Sequence, residues 1–208
     1  MFYGMVSSDS YRTIRSNSSG TYREKGSRFI ADAWPVNDEE QINAILEETR
    51  KKHHDARHHC YAYRLGKDGL IWRANDDGEP SGTAGRPILG QIKSSGVTNV
   101  LIVVSRYFGG TLLGVSGLIA AYKAAALSAL ENAEITDHII HDVYEIRYPY
   151  SAMNSVMKII KEEDIIQSEH SFDLECRIVI SFRSSSAERI ISRLGRIGGM
   201  ALEFLSSA

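Results

Sequence analysis

Fifteen residues, DDGEPSGTAGRPILG from Asp76 to Gly90, bring three carboxylates together with two hydroxyls, four glycines and an arginine. The carboxylates of Asp76, Asp77 and Glu79 are the oxygen donors that a hard cation requires. Ser81, Thr83 and the free N–H groups ahead of a helix entered through Pro87 suit an anion instead, and Arg86 would strengthen that attraction. A third reading needs no ligand: the glycines supply positive φ angles and the Asp-Gly pair makes a turn. Asp-Asp-Gly lacks the ligand spacing of a calcium loop, and GxxGR is not a phosphate-binding P-loop. Residue chemistry alone therefore favours the turn.

Two further stretches carry reactive types. Arg106-Tyr107-Phe108-Gly109-Gly110 follows an apolar strand, and ligands of α/β proteins tend to sit beyond the carboxyl ends of strands. Arginine can hold a phosphate bidentately, and Tyr107 or Phe108 can stack on a base. Alternatively the two rings plug the core edge while Gly109 and Gly110 allow tight packing. The other stretch, HHDARHHC, holds His53, His54, His58, His59 and Cys60, ligand types for zinc. His53 and His54 fall at a helix end, where the macrodipole favours them. His58 and His59 are neighbours in a strand and point to opposite faces, so a structural role is favoured over a metal site. No GxSxG elbow is present, and Ser116 in GVSG reads as a helix N-cap.

Several elements must position these groups. In the first half, strands are expected near Tyr11–Ile14 and Arg28–Trp34. A capping-box-like NDEE (Asn37–Glu40) opens a helix bearing Ile42, Ile45 and Leu46. Strands at Arg57–Arg64 and Leu70–Ala74 precede a Pro87 helix that runs to about Ser95. NVLIVVS (Asn99–Ser105) is apolar on both faces, as a central covered strand is, and Leu118–Glu131 makes a helix apolar nearly all round. Glu134–Asp142 reads as a connection, with the boundary after residue 136. Beyond it, Tyr144, Ile146 and Tyr148 alternate, Met153, Val156, Met157 and Ile160 follow helical spacing, and a short strand covers Ile165–His170. Leu174, Cys176, Ile178, Ile180 and Phe182 then alternate, and Ser184–Ser186 caps a helix with Ala187, Ile190, Ile191 and Leu194. Met200, Leu202 and Phe204 close the pattern. The order βαββαβ is the ferredoxin-like arrangement. The fold class is α+β in two domains, 1–136 and 137–208.

Bulk properties narrow the function. The 208 residues carry 24 basic and 26 acidic side chains, a net charge of −2, which argues against a protein coating nucleic acid mainly through a global positive field and leaves room for a local basic groove. Two cysteines make no disulfide framework. No stretch approaches the roughly 18 consecutive apolar residues of a membrane helix, and the opening MFYGMVSSDS is not a signal peptide. The expected compartment is the cytoplasm.

GSRFIADAWPV (Gly26–Val36), HHCYAYRLG (His58–Gly66), NDDGEPSGTAGRPIL (Asn75–Leu89), NVLIVVSRYFGG (Asn99–Gly110), Leu113-Gly114 and GLIAAY (Gly117–Tyr122) together resemble the YigZ/IMPACT family, in its bacterial two-domain form. The resemblance implies a ribosomal-protein-S5-domain-2-like first domain, and a ferredoxin-like second domain similar to modules of translation elongation factor G. Eukaryotic members are translation regulators that block an amino-acid-sensing kinase by competing for its activator. For bacterial members, nucleic-acid or ribosome binding is suggested by fold analogy. Two positions depart from the bacterial pattern. Leu112 stands where GGIKLG has lysine, and Ala120 where GLVRAY has arginine. Arg86, Arg106 and Lys123 remain, while Arg189, Arg193 and Arg196 form a basic helix stripe that reads as a solvated face.

The expectation is a non-enzymatic cytosolic protein linked to translation. It would bind RNA, the ribosome or a translation-related protein through a shared surface of the Asp76–Arg86 and Arg106–Gly110 loops. The contributing residues would be Asp76, Asp77, Glu79, Ser81, Thr83, Arg86, Arg106, Tyr107, Phe108, Gly109, Gly110 and Lys123, with no cofactor, metal or membrane. The alternative is an enzyme acting on a phosphorylated or nucleotide substrate in the same cleft.

Overall fold

A computed structural model describes residues 9–172 and 175–207. In chain order the elements are β1 (Ser10–Ile14), β2 (Ser18–Glu24), β3 (Ser27–Pro35), α1 (Glu39–Lys52), β4 (His58–Leu65), β5 (Ile71–Asn75), α2 (Gly85–Ser94), β6 (Val100–Tyr107), α3 (Gly114–Glu131) and β7 (Ile135–Ile139). Then come β8 (His141–Tyr148), α4 (Met153–Glu162), β9 (Ile166–Phe172), β10 (Cys176–Arg183), α5 (Ala187–Leu194) and β11 (Ala201–Ser207). The chain divides into two units. Tyr11–His138 forms the larger, and the described residues from Ile139 onward join Asp9 and Ser10 in the smaller.

The larger unit is built on a sheet of order β2-β3-β6-β4-β5, antiparallel at every joint. Its centre is β6, and the alternation there explains the continuous apolar run. Val100, Ile102 and Val104 face a core completed by Ile88 and Ile92 of α2 and by Tyr122 and Ala125 of α3. Leu101 and Val103 face the opposite core with Ile42 and Leu46 of α1. From Val100 to Val104 both faces are buried and the run carries no polar side chain; Ser105 and Arg106, also buried, follow it. Helix α1 starts where NDEE predicts: Asp38 accepts the Gln41 N–H at 2.8 Å, and the Gln41 side chain accepts the Asn37 N–H at 3.1 Å.

Two local expectations are corrected, and one strand was not anticipated. Strand β2 is not legible in the sequence, because its inward position is Gly20 rather than a large apolar residue. A Cβ there would lie 2.3 Å from the Ala129 nitrogen, so α3 packs on bare backbone. Helix α3 begins at Gly114 with Leu113 as its N-cap and no capping side chain, which puts Ser116 inside the first turn. The segment read as a connection after Glu134 forms β7, paired with β1, and the first residues of β8.

The smaller unit shows sheet order β11-β8-β10-β9, all antiparallel, which is the ferredoxin-like order for βαββαβ. Ile146, Tyr148, Cys176, Ile178 and Ile180 pack under Val156, Ile160, Ile190 and Leu194. Leu174, part of the expected alternation, lies outside the described residues. Asp9 belongs to this unit: its carbonyl accepts the Ile140 N–H at 2.7 Å. Its carboxylate accepts from Arg183 Nε at 2.9 Å and Ser185 Oγ at 2.5 Å, and these bonds hold it below the usual carboxylate range. Among the described residues no helix is long and apolar enough to cross a membrane.

Candidate functional site

The Asp76–Gly90 loop folds around its first carboxylate. Asp76 Oδ1 accepts the N–H groups of Ala84 and Gly85 at 3.0 and 2.8 Å, and Oδ2 accepts that of Gly82 at 2.8 Å. Asp76 is thus the anion at the start of α2, bonded to the donors that an external phosphate would use. The anion reading of the helix entrance is corrected accordingly. Thr83 is buried and donates to the Pro80 carbonyl at 2.6 Å. Gly85 has no alternative residue at this approach, since a Cβ would meet the Asn75 backbone nitrogen at 2.5 Å.

The cation reading fails for a related reason. Asp77, at φ 41°, accepts the His59 N–H through Oδ2 at 2.7 Å, with Arg50 at 3.7 Å from Oδ1. Glu79 turns the other way into the protein. The three carboxylates do not converge, and no group of three or more His, Cys, Asp or Glu among the described residues is arranged to hold a metal. The histidines serve local structure. His58 Nδ1 donates to the Asp77 carbonyl at 2.7 Å, and His59 Nε2 donates to the His53 carbonyl at 3.1 Å. His53 Nδ1 lies 2.9 Å from the Tyr107 hydroxyl, and burial pushes its pKa down. His54 is exposed beside Asp55.

Glu79 is the loop residue that meets the second motif. Its Oε1 accepts from Arg106 Nη1 at 2.5 Å and from the Tyr122 hydroxyl at 2.8 Å, all three side chains being buried. Burial pushes both the Tyr122 hydroxyl and the nearby Cys60 thiol up, so both keep their protons. Tyr122 therefore remains a donor to Glu79, and Cys60 Sγ reaches the Asp76 carbonyl at 3.0 Å. Arg106 is 5% exposed, its guanidinium lies over the Phe29 and Phe108 rings, and its buried Nε has no partner. This is an internal ion pair, which corrects the picture of Arg106 as a solvent-facing phosphate ligand. Tyr107 is also occupied, with Arg28 4.5 Å above its ring.

Over this pair opens a cavity of about 350 Å³, lined among others by Arg57, His58, Glu79, Phe108, Leu112 and Val115. Phe108, Leu112 and Val115 are 42%, 83% and 60% exposed. Gly109 fixes the β6 exit against the β2–β3 turn, since a Cβ would come within 1.9 Å of the Gly26 carbonyl carbon, while Gly110 takes φ 86°. The other half of the expected surface lies elsewhere. Asp76, Ser81 and Arg86 line a second cavity of about 380 Å³ with Trp72, Ala74, Gly82, Leu89 and Lys93. Lys123 is exposed on α3 and lines neither. The expected surface is therefore divided by the loop itself. Gly78, Glu79 and Pro80 face one cavity, while Asp76, Ser81 and Arg86 face the other.

Sequence reasoning did not single out Tyr122, Arg57, Val115 or Trp72. Tyr122 offered one signal, the one aromatic ring, with a polar tip, on an alanine-rich helix. In the smaller unit the basic stripe is largely spent: Arg189 pairs with Glu163 at 2.7 Å, and Arg193 pairs with both Glu162 and Glu163.

Comparison with known proteins places this architecture. Residues 25–130 match the Impact N-terminal domain. The chain is 30% identical over 180 residues to IMPACT family member YvyE of Bacillus subtilis, covering 86% of this chain and 83% of that protein. It is 35% identical over 160 residues to IMPACT family member YigZ of Escherichia coli, covering 75% and 78%. The crystal structure of an hypothetical protein superimposes with TM-score 0.71 at 28% identity, covering 95% of this chain and 98% of that one. With the Glu79–Arg106 pair and its flanking loops inside the matched region, the chain belongs to the IMPACT family.

Proposed function

We propose that this chain is a non-enzymatic, translation-linked binding protein, and that the cleft over Glu79 and Arg106 seats an apolar side chain of a protein partner. The link to translation rests on family membership and on what the resemblance implies for eukaryotic members. The partner class rests on one observation: Phe108, Leu112 and Val115 stay exposed around a single cavity whose floor is an internally neutralised ion pair. Contiguous apolar surface of this kind marks an interaction site, whereas scattered exposed residues do not.

Binding is favoured over catalysis because the candidate carboxylates already have partners. Asp76 accepts three N–H groups, Asp77 one, and Glu79 the arginine and the tyrosine. A general base needs a lone pair within reach of substrate. RNA is not favoured at this mouth, where among the described residues Arg57 is the one arginine or lysine besides the neutralised Arg106.

The test is co-sedimentation and affinity capture of translation complexes by the tagged full chain, with and without nuclease, at moderate salt. Capture of a defined protein that survives nuclease and is lost in Leu112→Glu supports the reading. Leu112 is 83% exposed, so the substitution leaves folding intact. Capture abolished by nuclease, or unchanged in Leu112→Glu, overturns it.

A further inference from the structure

The second cavity has a different chemistry. It lies between β5 and α2, and its apolar wall is Ala74, Leu89 and the ring of Trp72, which is 52% exposed. Its charges are Arg86 and Lys93, seven residues apart on α2 and so on one face, with about 10.5 Å of helix rise between them. Among the described residues neither cation has a carboxylate partner, although most surface arginines of the smaller unit do. Lys93 Nζ instead rests 4.6 Å from the centroid of the Trp72 ring. The carboxylate on the lining, Asp76, is turned onto the three N–H groups of the Gly82–Gly85 turn, which offset its charge. Ser81 is exposed at the rim.

We infer that this cavity binds a single-stranded nucleic acid, with a base stacked on Trp72 and the flanking phosphates on Arg86 and Lys93. Aromatic platforms beside a cationic track are how single strands are held, because every base offers a π-face and every nucleotide a phosphate. A base arriving at the ring displaces Lys93 from it, or takes the remaining exposed area. The exposed cation–π contact given up is the weaker of the two interactions, and the released ammonium meets a phosphate. An acidic peptide would use the same cations but would not need the ring. The inference goes beyond the protein-binding cleft and does not depend on it.

The experiment is fluorescence anisotropy of labelled octauridylate and octathymidylate titrated with the full chain at low salt. Binding of either strand that weakens at least tenfold in Trp72→Ala, is restored by Trp72→Phe, and loses about 0.7 unit of log–log salt slope for each of Arg86→Gln and Lys93→Gln supports the inference. Equal affinity in wild type and Trp72→Ala overturns it. So does salt-insensitive binding, absence of binding, or binding of uridine monophosphate alone. Leu112→Glu, run in parallel, separates the two sites: full strand binding by that variant leaves this inference standing even if the cleft reading fails.

Discussion

Replacing Glu79 by glutamine keeps the shape of the side chain and removes its charge, leaving Arg106 buried without a counter-ion. Two unit charges about 4 Å apart attract by about 4 kcal/mol at an effective dielectric near 20. Breaking a buried pair by removing one partner costs about 3–5 kcal/mol, since the remaining charge stays desolvated. The amide oxygen of the introduced glutamine can still accept from Tyr122 and Arg106, so a loss of about 3 kcal/mol, the low end, is expected. The assay is urea unfolding followed by tryptophan fluorescence. Both tryptophans, Trp34 and Trp72, lie in the larger unit, so the signal reports that unit alone. With a urea slope of about 2 kcal/mol per molar, the midpoint should fall by about 1.5 M. Arg106→Met should cost a similar amount, and the double variant Glu79→Gln/Arg106→Met should cost less than the sum. A loss below about 1 kcal/mol for each single variant, or strict additivity in the double, would refute the claim that this pair is a buried, mutually dependent unit.

Three further outcomes follow from the same geometry. Asp76→Ala strips a charged acceptor from three backbone N–H groups and should destabilise the larger unit by about 2–3 kcal/mol in the same urea assay, with Asp76→Asn recovering part; unchanged stability would return Asp76 to the list of free ligands. Gly109→Ala places a methyl group 1.9 Å from the Gly26 backbone and should cost about 3 kcal/mol in thermal or urea unfolding, because backbone cannot step aside as a side chain can. Burial lowers the His53 pKa, so the unfolded chain takes up the proton first as pH falls. Its contribution is therefore present above the unfolded value of about 6.5 and is lost as pH drops towards the lower folded value. His53→Gln should flatten the dependence of the urea midpoint on pH below about 7, and parallel wild-type and variant curves would count against it.

What was readable in the sequence followed from whether a residue's role is local. The alternation of Cys176, Ile178, Ile180 and Phe182 and the period of α4 and α5 announce themselves, because burial of one face requires only the segment's own pattern. The double-faced run of β6 is equally plain. Strand β2 escaped because Gly20 does its work by being absent, letting a helix backbone approach. The site was harder. Asp76 reads as a ligand until its acceptor bonds to Gly82, Ala84 and Gly85 are seen, and those exist only once the loop has closed. Glu79 and Arg106 are 27 residues apart and Glu79 and Tyr122 are 43 apart, distances over which no spacing rule operates. Residue types located the two loops, but only the folded geometry could show that one loop serves two cavities.

The bonds of Asp9 have a temporal consequence. A ribosome releases the chain N-terminus first, and domains fold as units as they emerge. Asp9 precedes its partner Arg183 by 174 residues, and the whole larger unit is made between them. The smaller unit is thus interrupted in sequence: its opening piece must wait, unpaired, while β1 to β7 are synthesised. It can close its ion pair only when nearly the last strand has been delivered. A fragment beginning at Ile139 would contain every strand of the ferredoxin-like sheet yet lack this clasp. Refolding of the full chain carrying Asp9→Ala, compared with the unaltered chain, would measure how much this clasp contributes to the unit completed last.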